Sequence, residues 1–77
     1  MTREIVWHIV ADRDVLHMPW QIAARVCSDL LRFAETGAGE LEQLEHGILR
    51  LRSRGGCALF RLDTKDGAVH VLRVYRV

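Results

Sequence analysis

Apolar and polar positions follow two different periods along this chain. "REIVWHIV" (residues 3–10) is rich in β-branched and aromatic residues and predicts a strand, with Ile5 and Trp7 on one face. Asp12 then predicts the cap of a short helix reaching Met18, or of one that starts a turn earlier. Pro19 stops that helix and opens a second one. There the apolar spacing becomes helical: Ile22, Val26, Leu30 and Phe33 recur at i, i+4, i+8 and i+11, with Ala23 and Cys27 beside them. Arg25, Asp29 and Arg32 face away, Trp20 reads as a core anchor at the helix head, and "ETGAGE" (35–40) ends the helix with Gly37 at its C-cap.

Beyond residue 47 the period returns to two. Strands are predicted at 48–53, 57–63 and 68–76, joined at "RGG" and at "TKDG", where Asp66-Gly67 signals a hairpin. "LEQLEHG" (41–47) reads as a connector whose Leu41 and Leu44 close over the core. The predicted fold is α+β in the order β-α-α-β-β-β: two N-terminal helices on one face of a mostly antiparallel four-stranded sheet. Residues 1–77 form one domain, without repeats, linkers or low-complexity segments. A chain of 77 residues buries only about 60% of its unfolded surface, so little of it is spare.

Alternation assigns the faces of the C-terminal strands. Leu49, Leu51, Phe60, Leu62, Leu72 and Val74 point inward, while Arg50, Arg52, Cys57, Leu59, Arg61, Val71, Arg73 and Tyr75 point outward, with Arg54 at the rim. Charge sharpens this picture. Residues 1–48 carry four arginines against eight acids, whereas residues 49–77 carry six arginines and one lysine against Asp63 and Asp66. The net charge of +1 therefore hides a basic C-terminal half. Arginines on adjacent strands repel one another, and no acid is expected on that face, which points to an anionic partner. Guanidinium offers a planar fork of donors that fits phosphate, and Tyr75 beside it can stack on a base or move a proton. A small RNA-binding module would satisfy these features; an acidic protein segment would do so equally well.

Other residue types exclude more than they suggest. His8, His17, His46 and His70 show no metal-ligand spacing with Cys27 or Cys57, so no metal is expected. Gly55-Gly56 precedes no helix and reads as a turn, and no small-molecule cofactor is expected. By alternation His70 falls on the covered or edge side and reads as structural, and Cys27 reads as a small core residue. Cys57, near Arg54 and Arg61, is either a small filler or a reactive thiol. No apolar run approaches the roughly 18 residues of a membrane helix, and the N-terminus lacks a signal-peptide pattern. Two cysteines make no disulfide framework, so the expected compartment is the cytoplasm.

In the segments "IVWHIV", "HMPWQIAARV", "FAETGAGELEQLEHG", "LRLRSRGGCALFRL" and "VHVLRVYRV" the chain resembles the RelE/ParE superfamily of bacterial toxins from type II toxin–antitoxin modules. The resemblance spans essentially the whole chain and has the same element order. It implies a toxin held inactive by a cognate antitoxin and, in RelE-like members, an mRNA interferase: an endoribonuclease that enters the ribosome, where the 2′-hydroxyl attacks the adjacent phosphate. Carried onto this chain, the resemblance makes Arg52, Arg54, Arg73 and Tyr75 the catalytic candidates, with Tyr75 transferring protons. Arg50, Arg61, Arg76 and Cys57 become candidates for contact with RNA or antitoxin. In ParE-like members the same fold inhibits DNA gyrase, and a catalytically inactive homologue would bind only its antitoxin. Two departures from the family pattern are visible: Cys57 stands where the family has an arginine, and the chain ends at Val77, where members usually continue. With a net charge of only +1, they imply weakened catalysis, because affinity for a polyanion scales with the phosphates neutralised.

Overall fold

The computed structural model describes residues 2–77. The chain runs β1 (Ile5–Trp7), α1 (Ile9–Leu16), α2 (Trp20–Thr36), β2 (Glu40–Gln43), a 3-10 turn (Glu45–Gly47), β3 (Ile48–Ser53), β4 (Gly56–Leu62) and β5 (Val69–Arg76). The sheet has five strands in the order β1-β5-β4-β3-β2, with β1 parallel to β5 and the other neighbours antiparallel. The expected α+β class and helix–sheet order hold; the expected four strands are five. The extra strand is β2, read above as part of a connector. All four of its residues are exposed, and Leu41 is 42% exposed rather than closed over the core. This strand is specified by pairing with β3, not by burial, so its apolar pattern carries no signal.

α2 is the helix the periodicity describes. Its stripe of Ala23, Val26, Leu30, Phe33 and Ala34 is buried, and Gly37 ends it in the left-handed conformation at φ 78°. The stripe lies over Leu51, Ala58, Phe60, Val69, Val71 and Val74 of the sheet, and the rings of Phe33 and Phe60 meet at 5.0 Å. Burying a side chain such as Phe60 contributes roughly 1.5–3 kcal/mol. Trp20 departs from expectation: at the head of α2 it is 74% exposed and anchors nothing.

α1 begins a turn before Asp12, with His8 at its N-cap. The chain passes from β1 into α1 almost without a loop, and the His8 N–H donates to the Val71 carbonyl at 3.1 Å. β1 reaches no further than the Trp7–Val71 pair, so the rest of the β5 edge is left to α1.

One irregularity redistributes the faces. Leu59 pairs with Arg73 and Phe60 pairs with Val71, which leaves Leu72 as an extra residue, a bulge in β5. Strict alternation expected Leu72 inside and Val71 outside. With the bulge, Val69, Val71 and Val74 are all buried, and Leu72 is only half-buried. The strand thereby keeps β-branched residues in the core on both sides of the break.

Candidate nucleic-acid interface

The face of the sheet away from α2 is open, and the strand register arranges it in rows. Arg52, Cys57 and Tyr75 form one row; Glu42, Arg50, Leu59 and Arg73 form the next; Ile48, Arg61 and His70 form a third. Five of the expected residues, Arg50, Arg52, Cys57, Arg73 and Tyr75, are thus brought onto two adjacent rows. Arg54 sits at the β3–β4 turn and Arg61 lies one row further from it. Arg76 is not with them. It stands opposite Gly56, where a β-carbon would point at Ile22 and Val26 of α2, so it belongs to the helix side at the sheet's end.

The expectation that no acid faces these arginines is overturned. β2 places Glu42 directly opposite Arg50 and Glu40 directly opposite Arg52. Arg50 donates to Glu42 Oε1 through both Nε, at 3.1 Å, and Nη2. The pairing holds the Glu42 carboxyl below its ordinary range and shifts the guanidinium upward. Arg73 is gripped by Asp14 of α1, with Nε 2.9 Å from Oδ2 and Nη2 3.1 Å from Oδ1. Asp14 Oδ2 also accepts the Val74 N–H at 2.9 Å, and the hydrogen bond from Arg73 is the main cause of a lowered carboxyl pKa. Neither acid was legible as a partner. Asp14 is 59 residues from Arg73 in sequence, and Glu42 lies on a strand that leaves no apolar trace.

Tyr75 is half-buried in its row, and Arg50 Nη1 from the adjacent row donates to its Oη at 3.3 Å. The phenol oxygen therefore accepts from a guanidinium while its own proton stays free for another acceptor. Cys57 lies in line between Arg52 and Tyr75 and is only 2% exposed, so the filler reading describes it and thiol chemistry at the surface does not. Both cysteines are free, and burial raises the thiol pKa of Cys27. Among the described residues, Arg52, Arg54 and Arg61 make no ion pair. The unneutralised cations of the face thus lie at its two ends, with paired arginines between them.

His70 sits on the open side, contrary to the alternation reading, because the bulge beyond it reverses the parity of β5. Its ring meets that of His8 edge-on at 5.8 Å, and its Nε2 lies 3.8 Å from Asp63 Oδ2. No group of three or more histidine, cysteine or acidic side chains among the described residues is arranged to hold a metal ion. No helix among them is long and apolar enough to cross a membrane.

No protein-family model matches the sequence, and no curated protein matches it. Solved structures do. The toxin–antitoxin complex RelBE2 of Mycobacterium tuberculosis contains a chain similar to this one with a TM-score of 0.86 at 21% identity, covering 100% of this chain and 93% of that one. The free E. coli toxin RelE, as a double arginine-to-alanine variant, is similar with a TM-score of 0.77 at 16% identity, covering 99% of this chain and 84% of that one. The backbone path of this chain is therefore that of the RelE toxin fold.

Proposed function

We propose that this chain is the toxin of a bacterial toxin–antitoxin pair. Its open sheet face binds mRNA on the ribosome and cuts it as a weakened relative of the RelE endonucleases. The observation that carries this reading is the grouping of Tyr75, Arg50 and Arg52 on two adjacent rows, with the Arg50–Tyr75 hydrogen bond at 3.3 Å. A similar chain is part of a toxin–antitoxin complex, which supports an antitoxin as the cognate partner.

In the proposed reaction the 2′-hydroxyl attacks the adjacent phosphorus and loses its proton to solvent water. The 5′-oxygen of the following nucleotide leaves and takes up a proton, giving a cyclic phosphate and a 5′-hydroxyl. Tyr75, whose oxygen already accepts from Arg50, gives that proton to the leaving oxygen in this reading. Arg52 and Arg54 offer guanidinium donors to the charge that develops on phosphate. Arg73 contributes only if the RNA competes for it with Asp14.

A second reading has its own observation. With Cys57 in the family's arginine position and Arg50 and Arg73 already engaged, the same face suits a catalytically inactive homologue that binds its antitoxin, or an inhibitor of gyrase. Induction in growing cells followed by primer extension on translated mRNA separates the two. Cuts confined to translated codons, suppressed by the antitoxin gene, are the expected result. Intact mRNA with altered plasmid supercoiling would transfer the proposal to gyrase, and intact mRNA with unimpaired growth would transfer it to the inactive homologue.

A further inference from the structure

We propose that Arg61, His8 and His70 form a second phosphate subsite at the far end of the open face, which takes a backbone phosphate of the same RNA strand. This rests on the reading of the open face as an RNA surface and extends it to residues which that reading leaves unused. A depression of about 230 Å³ lies between the end of β1 and the ends of β4 and β5, lined by His8, Arg61, Leu62, Asp63, His70 and Leu72. The β5 bulge builds it. By displacing Leu72 from the core it puts His70 opposite Arg61, on the open side, and brings it edge-on to His8.

The charges favour an anion. Arg61 is exposed and makes no ion pair among the described residues, while the arginines nearer the middle of the face are taken by Glu42 and Asp14. Asp63 is the one acid of the cluster. Its Oδ1 is occupied by the N–H groups of Lys65 at 2.7 Å and Asp66 at 3.3 Å, and its Oδ2 faces His70 Nε2 at 3.8 Å. Asp63 thus shapes its own turn and lies beside His70 without a hydrogen bond to it, leaving Arg61, His8 and His70 as donors to an incoming phosphate. Arg61 lies four residues beyond Cys57 on β4, about 13 Å along an extended strand. A short extended polynucleotide covers that distance. Such a strand would touch free cations at both ends of the face and cross the Arg50–Tyr75 pair between them.

Nuclear magnetic resonance of the intact chain reads this directly, through the ring signals of His8 and His70. The probe is a short all-deoxy oligonucleotide, which lacks the attacking hydroxyl and cannot be cut, compared with inorganic phosphate and a glutamate oligomer of equal charge. The expected result is a saturable shift of both rings with the oligonucleotide. Arg61→Ala should weaken its binding about tenfold, the size of one charge-assisted hydrogen bond. A His8→Gln, His70→Gln double variant should weaken binding while leaving the chain folded. Rings that stay still while Arg52 and Arg54 signals move would overturn the subsite. A glutamate oligomer that shifts the rings as strongly as the oligonucleotide would overturn its assignment to phosphate. Because the probe is never cut, the subsite can stand or fall independently of mRNA cleavage.

Discussion

Asp14 of α1 grips the guanidinium of Arg73 with both carboxylate oxygens and uses one of them to accept the Val74 N–H, all within 3.1 Å. β1 ends at the Trp7–Val71 pair, and beyond it a side-chain carboxylate accepts the edge amide that a strand would have bonded. Asp14→Ala removes the ion pair and leaves the part-buried Val74 amide without its acceptor. Asp14→Asn keeps an oxygen for that amide and loses only the charge. Urea unfolding should show a loss of about 1–2 kcal/mol for alanine, the cost of an unsatisfied amide, and distinctly less for asparagine. Arg73 is largely exposed, so the ion pair itself adds little. Equal losses would mean that the charge, not the amide, docks α1.

The same carboxylate sets part of the acid response. Its folded-state pKa lies below the ordinary value near 4, chiefly because Arg73 hydrogen-bonds the ionised form. Asp63 is lowered too, by the backbone amides of Lys65 and Asp66. In both cases the unfolded chain binds a proton at higher pH than the folded one. The stabilisation is therefore complete above the ordinary carboxylate value and is lost as pH falls through the folded value. Urea midpoints measured between pH 5 and pH 2 should fall for the parent chain. An Asp14→Asn, Asp63→Asn variant should start lower and fall less steeply, and parallel curves would show that neither group is responsible.

Gly56 couples the core to the open face. A β-carbon there would come within 3.0 Å of Ile22 Cγ2 and Val26 Cγ2 and 3.2 Å of the Tyr75 carbonyl oxygen. The α2 stripe sits this close to β4 only because the residue is glycine. Gly56→Ala should cost about 1–3 kcal/mol by overpacking and should displace β5 at Tyr75. Thermal unfolding measures the first effect and tyrosine fluorescence quenching the second. An unaltered melting temperature would mean that α2 can shift freely.

How much of this was legible in the sequence depends on what kind of force specifies each part. The α2 stripe, the Leu49–Leu51 alternation and the Gly37 stop follow from burial and backbone sterics, and those leave periodic marks. β2 does not, because its two glutamates, Gln43 and an exposed Leu41 lie on an edge and are held by backbone pairing and by Arg50. The bulge at Leu72 is also silent. Val69, Val71, Leu72 and Val74 are all apolar, so either parity looks equally good until the sheet has to close over α2. For the site, alternation places Arg50, Arg52, Arg73 and Tyr75 together. The acids that neutralise two of those arginines arrive through tertiary structure, from α1 and from the strand without a pattern. His70 was misplaced for the same reason as Leu72.

Glu42 competes with any ligand for Arg50. Its pKa is lowered mainly by the hydrogen bond from that arginine, so the pair stays intact down to acidic pH. Glu42→Gln should free one cation on the open face without touching the core, since Glu42 is exposed. Binding of a short single-stranded RNA should tighten at low salt. The slope of log affinity against log salt should steepen by about 0.7, the value for one more phosphate neutralised on a single strand. Fluorescence anisotropy over a salt series measures both. A steeper slope with Glu42→Gln and none with Glu45→Gln, whose carboxylate faces only His46, would locate the effect at Arg50.

Cys57 tests whether this face has exchanged chemistry for stability. Its side chain is 2% exposed, lying between Arg52 and Tyr75 across neighbouring strands, so a small apolar group seals the row where the RelE/ParE pattern has an arginine. In the native chain a thiol reagent should label Cys27 slowly, because that thiol is half-buried and its pKa is raised. Cys57 should react only as the sheet opens, so that its labelling rate tracks urea concentration. Cys57→Arg would set a second guanidinium directly opposite Arg52. The like charges and the extra volume should cost about 1–3 kcal/mol of stability, and the new cation should tighten RNA binding and raise any mRNA cleavage. Loss of stability with no gain in cleavage would show that an arginine at this position does not supply the missing chemistry.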